Sequence, residues 1–322
     1  MAHENTPPAA APVLPERKKN KTGLIAGIAI AAVAVIIAAV LIVPSWFSSN
    51  AAPAGAAGAD EPVTVTIGTT DASQPHWKVL GELLLEEGIK LELINFTDYP
   101  LPNPALAAGE TDLNAFQHLD YLSNHNVATG DDLQPIGSTI IVPLPLYSEK
   151  WDSVEEIPDG GQIAIPNDPS NQARALGVLE AAGLITLDGK EKVPTPANID
   201  AAKSRVTVIP VEASQTPAAL QSADGAIINN NFSKDAGIDP ASALYFVDPN
   251  DAKSWPYLNI IAARADDIDN ETYLKVAELY HTKAVTDLVI EQSGGSAVVI
   301  ELDAEELRER LASIEEEKRA AQ

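Results

Sequence analysis

The 322-residue chain contains no cysteine, a single methionine, and aromatic residues at only 5%. Without cysteine there are no disulfides, no thiolate zinc sites and no thiol nucleophile. The lipidated N-terminal cysteine that tethers many exported proteins is excluded too. Basic residues are also scarce. Against 46 Asp and Glu stand 21 Lys and Arg, a formal net charge of −25. Nucleic-acid phosphates and anionic headgroups are therefore not the partners of this surface. The sequence has no G-x-x-x-x-G-K-[ST], no G-x-G-x-x-G, no G-x-S-x-G and no H-E-x-x-H. No catalytic constellation stands out, and the chain reads as a non-enzyme. His118 and His125 would share one face of a helix, but that spacing alone does not define a metal site. No metal or cofactor is expected.

Among what is present, residues 23–43 form an uncharged apolar run of 21 residues. At about 1.5 Å per residue such a run crosses a hydrocarbon core of about 30 Å. Arg17, Lys18, Lys19 and Lys21 precede it, and the next basic residue is Lys78. The positive-inside rule then places residues 1–22 in the cytoplasm and the bulk of the chain outside, as a single-pass membrane protein. A cleaved signal peptide is the rival, with a small-residue site near Asn50, Ala51 and Ala52. Its apolar core is normally about 7–15 residues, and this run is longer. Either way the domain is exported. Residues 44–61 are rich in Pro, Ala, Gly and Ser and read as a flexible linker, with an r.m.s. span of roughly 23 Å.

From Pro62 strands and helices alternate. Val63, Val65 and Ile67 alternate with Thr64, Thr66 and Gly68, the period of a strand. Residues 76–87 place Trp77, Leu80, Leu83 and Leu84 on one helical face, and Gly88 suits a left-handed helix end. Residues 89–93 alternate again. Asn103 and Pro104 read as a helix cap and first-turn proline, with the helix ending at Gly109 and a short strand at 112–116. The order restarts with a strand at 162–165, a helix at 172–182, a strand at 206–211, a short helix at 217–222 and a strand at 226–228. The reading is an α/β fold of two halves, each a mixed, mostly parallel sheet flanked by helices. Residues 106–114 and 220–229 echo each other, ending on Asn114 and Asn229. Ligands of open α/β sheets bind outside the carboxyl ends of strands, where both asparagines are expected.

Two segments carry binding chemistry. Residues 165–174 follow a strand and open a helix, with Ser170 read as its cap. First-turn amides attract an anion, and Arg174, one turn in, adds a two-bond fork for a carboxylate, unless an acidic neighbour pairs with it. Residues 95–103 and 114–121 bring Tyr99, Phe116, His118 and Tyr121 to element ends. Such aromatics wall an apolar or thioether side chain, or else pack as core.

These segments resemble the NlpA/MetQ family of methionine-binding proteins. Residues 95–103, NFTDYPLPN, are similar to the family's F-x-D-Y-x-x-P-N. Residues 114–118 match N-A-F-Q-H, with Tyr121 after it. Residues 166–171 match P-N-D-P-[ST]-N, followed by Arg174. Residues 228–232 look like I-N-x-N-[YF], and Pro256 to Asn259 and Gly294-Gly295 match later features. The resemblance spans roughly residues 62 to 300. It departs from the family in the apparent transmembrane anchor, in a longer loop at 69–75, and in a charged helical tail at 303–322.

The resemblance implies a two-lobed, periplasmic-binding-protein-like fold in residues 62–322. One lobe would hold about 62–142 and 246–302, and the other about 143–245. The crossings would lie near 141–143 and 243–247, and the lobes would close on methionine. Arg174 would hold the ligand carboxylate and Asn229 its polar end. Tyr99, Phe116, His118 and Tyr121 would surround the side chain, with Asn171 on the opposite lobe. The partners would be an ABC permease with its ATPase. Another amino acid, D-methionine or a small methionine-containing peptide is the alternative ligand. An extracellular enzyme or a structural surface protein fits less well.

Overall fold

A computed structural model of the chain describes residues 61–321. The apolar run at 23–43 lies outside them. Among the described residues no helix is long and apolar enough to cross a membrane. The first half contains β1 (Val63–Thr69), α1 (Pro75–Glu86), β2 (Ile89–Asn95), α2 (Pro102–Ala107), β3 (Leu113–His118), α3 (Leu119–Thr129), β4 (Leu133–Ser138) and β5 (Ile140–Ile141). The second contains β6 (Leu146–Tyr147), β7 (Gly161–Pro166), α4 (Pro169–Ala181), β8 (Val206–Val211), α5 (Thr216–Leu220), β9 (Gly225–Ile227) and α6 (Asn230–Asp235). The chain then returns to the first lobe with β10 (Asn259–Arg264), α7 (Glu271–Tyr280), α8 (Lys283–Gln292), β11 (Val298–Val299) and α9 (Ala304–Ala320).

The lobes are built to one plan. The first has a five-stranded sheet ordered β2-β1-β3-β10-β4, and the second a four-stranded sheet ordered β6-β9-β7-β8. β1 lies parallel to β2 and β3, and β7 parallel to β8 and β9. Each sheet also receives one antiparallel strand just after the chain crosses from the other lobe. These are β6 beside β9, and β10 between β3 and β4. One connection runs from β5 through Val142 to β6, and the other from Tyr245, bridged to Leu146, to β10.

The alternating apolar residues reach the core as their period requires. Val65 and Ile67 are fully buried with Leu80 and Leu84 of α1. Gly88 and Gly183 take positive φ after their helices. Gly68 has a different duty. A Cβ there would stand 2.4 Å from Asn114 Oδ1 on β3, so the close approach of β1 and β3 requires glycine. Gly68→Ala is expected to destabilise the domain by about 1–3 kcal/mol through overpacking, read as a lower urea midpoint at unchanged slope.

Three local expectations are corrected. Asn114 is not at a strand end. β3 continues to His118 because β10 pairs with it there. Asn114 is fully buried in an amide network in which it donates to Asn103 Oδ1 at 3.1 Å, while Asn103 and Gln117 exchange two bonds at 2.7 Å. Asn103, spent in that network, is not the cap of α2. Leu101 precedes that helix and Pro102 opens it, as proline's fixed φ favours. Nor does Ser170 cap α4. Asp168 does so, its Oδ1 accepting from Asn171 N at 2.9 Å, with Pro169 as the first helical residue.

Candidate functional site

One cavity of about 120 Å³ takes its walls from both lobes. Tyr99, Phe116, His118 and Tyr121 line it from the first lobe, and Asn171, Arg174 and Asn229 from the second. The lobes are shut on it. Asn231 donates to Thr70 Oγ1 at 3.1 Å and accepts from the Tyr99 hydroxyl. Ser214 donates to Asp98 at 2.6 Å, and Ser170 to Asp120 at 2.5 Å.

Arg174 sits in the second turn of α4, only 9% exposed. Its Nη2 donates to Val142 O at 2.6 Å, and its guanidinium lies 4.2 Å over the Tyr257 ring. Among the described residues it has no carboxylate within ion-pair distance, so the acidic-neighbour reading of this arginine is rejected. Burial pulls it down to about 10, which leaves it charged at neutral pH. Three residues earlier on the same helix, Asn171 Oδ1 accepts from Asn229 Nδ2 at 3.0 Å. Asn229 Oδ1 is buried and receives no donor among the described residues. A buried cation without a paired carboxylate, and a buried acceptor on a residue held by Asn171 of the same helix, form the polar end.

The aromatic end is a cluster. Tyr99 lies 6.1 Å from Phe116, 5.9 Å from Tyr121 and 4.9 Å from Phe232 between ring centroids. Burial pushes the Tyr99 and Tyr121 phenols above their ordinary value, so both rings remain neutral. His118 stands nearer the polar end, 5.3 Å from Tyr257. Its Nδ1 accepts from Tyr121 N at 3.1 Å and so caps α3, which assigns the ring proton to Nε2. Burial, with the charge of Arg174, lowers it to about 4, and the ring is neutral at physiological pH. As the cap of α3 it does not share a helical face with His125, which instead contacts Asp131 at 2.8 Å.

The family model for NlpA lipoproteins matches residues 64–300. The chain belongs to the NlpA lipoprotein family. Among its NlpA-family relatives is the "D-methionine-binding lipoprotein MetQ" of Salmonella typhi, 37% identical over 214 residues, covering 66% of this chain and 78% of that one. The crystal structure of protein PG110 from Staphylococcus aureus is 36% identical with a TM-score of 0.73, covering 78% of this chain and 99% of that one. The substrate-binding protein of a methionine transporter from Streptococcus pneumoniae is 37% identical with a TM-score of 0.68, covering 74% and 95%. The two-lobed α/β substrate-binding fold is thus that of the NlpA family.

Sequence reasoning missed several cavity residues. Tyr257 was noted only as part of a late motif, and its place under Arg174 depends on the second connection. Asn231 lies inside residues 228–232 but makes its bonds on the other lobe. Asp71, His76, Lys234 and Gln292 add a polar arm. His76 contacts Gln292 Oε1 at 3.1 Å, and Trp77 donates to Asp71 at 2.8 Å. No local pattern in the sequence joins these positions.

Proposed function

We propose that this chain is the extracytoplasmic substrate-binding protein of an ABC importer. It captures methionine between its lobes and hands it to the permease, whose ATPase supplies the energy. The observation that carries this reading is the pair of unmet polar groups at one end of an aromatic-walled cavity. Among the described residues Arg174 lacks an anion and Asn229 Oδ1 lacks a donor. An amino acid's carboxylate and ammonium answer both. The rings of Tyr99, Phe116 and Tyr121 offer faces and edges to a thioether, for which sulfur–aromatic contact is favourable. The name of the Streptococcus relative supports the same ligand, and that of the Salmonella relative supports its D-enantiomer. Binding and release, without catalysis, is the whole task.

Calorimetric titration of the full chain in detergent with the twenty amino acids and with D-methionine tests the ligand. Methionine is expected to bind tightest, and a panel without methionine binding rejects the assignment. Tight binding of a different amino acid, of D-methionine alone, or of a methionine-containing peptide selects the alternative. The wall is checked separately. Phe116 is half-buried, and Phe116→Ala is expected to weaken methionine by about 1–2 kcal/mol, roughly 5- to 30-fold, but alanine far less. Equal losses for both ligands would make Phe116 packing only.

The two connections serve in this reading as the hinge, and residues 23–43 as an N-in anchor. The motive for the anchor is the uncharged run with basic residues on one side only. Since the chain has no cysteine, the thioether-linked lipid of lipoproteins has no attachment point. Protease applied to intact cells is expected to release the domain, and intact mass should show residues 1–50 retained. A mature N-terminus near Ala51 would replace the anchor by a signal peptide.

A further inference from the structure

The helix α9 lies beyond the residues that match the family, 64–300. Its sequence explains why it folds. Glu305 and Glu306 occupy its first turn and Lys318 and Arg319 its last, each favourable to the helix dipole. Leu307 and Leu311, one turn apart, are buried against Leu119 and Leu122 of α3 and Leu133 of β4. Asn126 of α3 donates to Glu315 at 2.8 Å.

The last turn of α9 does more than pack. Lys318 Nζ meets Asp120 Oδ1 at 2.8 Å and Asn124 Oδ1 at 2.6 Å, and lies 3.4 Å from Asp120 O. The three ammonium hydrogens therefore have three acceptors on α3. The ion pair is mostly shielded, with side-chain exposures of 12% and 20%. The other carboxylate oxygen, Asp120 Oδ2, accepts from Ser170 across the cleft. Ser170 lies in the first turn of α4, one turn before Arg174. Burial raises Asp120, but Lys318, His118 and the bonds it accepts outweigh that and hold it below the ordinary carboxylate range.

We propose that α9 is a brace on lobe closure: Lys318 fixes Asp120 in the orientation that receives Ser170 when the lobes shut, and so slows ligand escape. Lys318 is a positioning residue that never touches the ligand. In the open form the Ser170 hydroxyl is free to bond water, and Asp120 stays held by Lys318. An acceptor already fixed in place spares closure the ordering of a side chain. The carboxylate also enters the shut cleft with its charge already partnered, which avoids burying a lone anion.

The brace rests on the proposed methionine capture for one readout and not for the other. Stopped-flow dissociation of methionine from the full chain in detergent is expected to quicken about tenfold in Lys318→Met and in Ser170→Ala. The double variant should be no faster than Ser170→Ala, because both changes undo one contact. Arg319→Ala, on the same helix but away from Asp120, should leave the rate unchanged. Additive effects, or a Lys318→Met rate within twofold of wild type, would overturn the brace. If Lys318→Met lowers the melting temperature, Asn124→Ala loosens the same lysine without emptying its place and carries the same test. If the wild type does not bind methionine, the ligand assignment fails and the brace is judged by geometry. Spin labels at Leu101→Cys and Val193→Cys, both exposed and on opposite lobes in a cysteine-free chain, report the interlobe distance. Without ligand that distribution should shift to longer distances in both Lys318→Met and Ser170→Ala. Distributions identical to wild type would reject the brace.

Discussion

Arg174→Ala is expected to weaken methionine binding by roughly 30- to several-thousand-fold, the 2–5 kcal/mol that loss of one partner from a buried charge pair costs. The magnitude follows from where the guanidinium sits. It is buried on α4, with a backbone carbonyl on one side and the Tyr257 ring on another, and among the described residues no carboxylate pairs with it. Its remaining donors are the ones proposed to meet the ligand carboxylate. Arg174→Lys should recover only part of the loss, since an ammonium cannot form the planar fork. Methionine amide and methioninol, which lack the carboxylate, should bind the wild type poorly and distinguish little between wild type and mutant. The ligand-free melting temperature should change little, because the mutation also removes a charge that is buried without a partner. Unchanged affinity at unchanged stability would take Arg174 out of the site.

Asn229→Ala is expected to cost about 1.5–3 kcal/mol, roughly 10- to 150-fold in affinity, the worth of a hydrogen bond to a charged group. Asn229 Oδ1 is buried without a donor while its Nδ2 is held by Asn171. A ligand ammonium completes that account. The deaminated analogue of methionine keeps the carboxylate and thioether but has no ammonium. It should bind the wild type more weakly than methionine and lose much less on Asn229→Ala. Equal losses for both ligands would assign Asn229 to shaping the cleft through Asn171 and not to contacting the amine.

Much of this was legible in the sequence, for local physical reasons. The period of Val63, Val65 and Ile67, and the face made by Trp77, Leu80 and Leu84, follow from burial against one neighbouring layer, which a window of residues records. The seven candidate residues do line one cavity. Resemblance to long motifs placed them there, since spacing alone had left Arg174 open to an acidic partner. What was misread depends on contacts distant in the chain. Ser170 looks like a cap, but Asp168, with its stronger acceptor, takes that place, and Ser170 turns to Asp120 on the other lobe. Asn114 looked like the partner of Asn229 because both follow an acidic turn and a short apolar run. Pairing with β10, about 145 residues later in the sequence, extends β3 past Asn114, and its amide is used up inside the lobe. The tail at 303–322 read only as charged and helical. Its role is carried by one lysine whose acceptors lie nearly two hundred residues earlier.

Arg174 touches both strands of chain that join the lobes. Its guanidinium is bonded to Val142 on the first connection and stacked on Tyr257 on the second. The group proposed to sense a carboxylate therefore also ties together the two connections proposed as the hinge. A variant chain that gave up this arginine to accept an uncharged ligand would lose more than a recognition contact. It would also loosen the proposed hinge, so a new specificity would have to arrive together with a new way of tying the two connections.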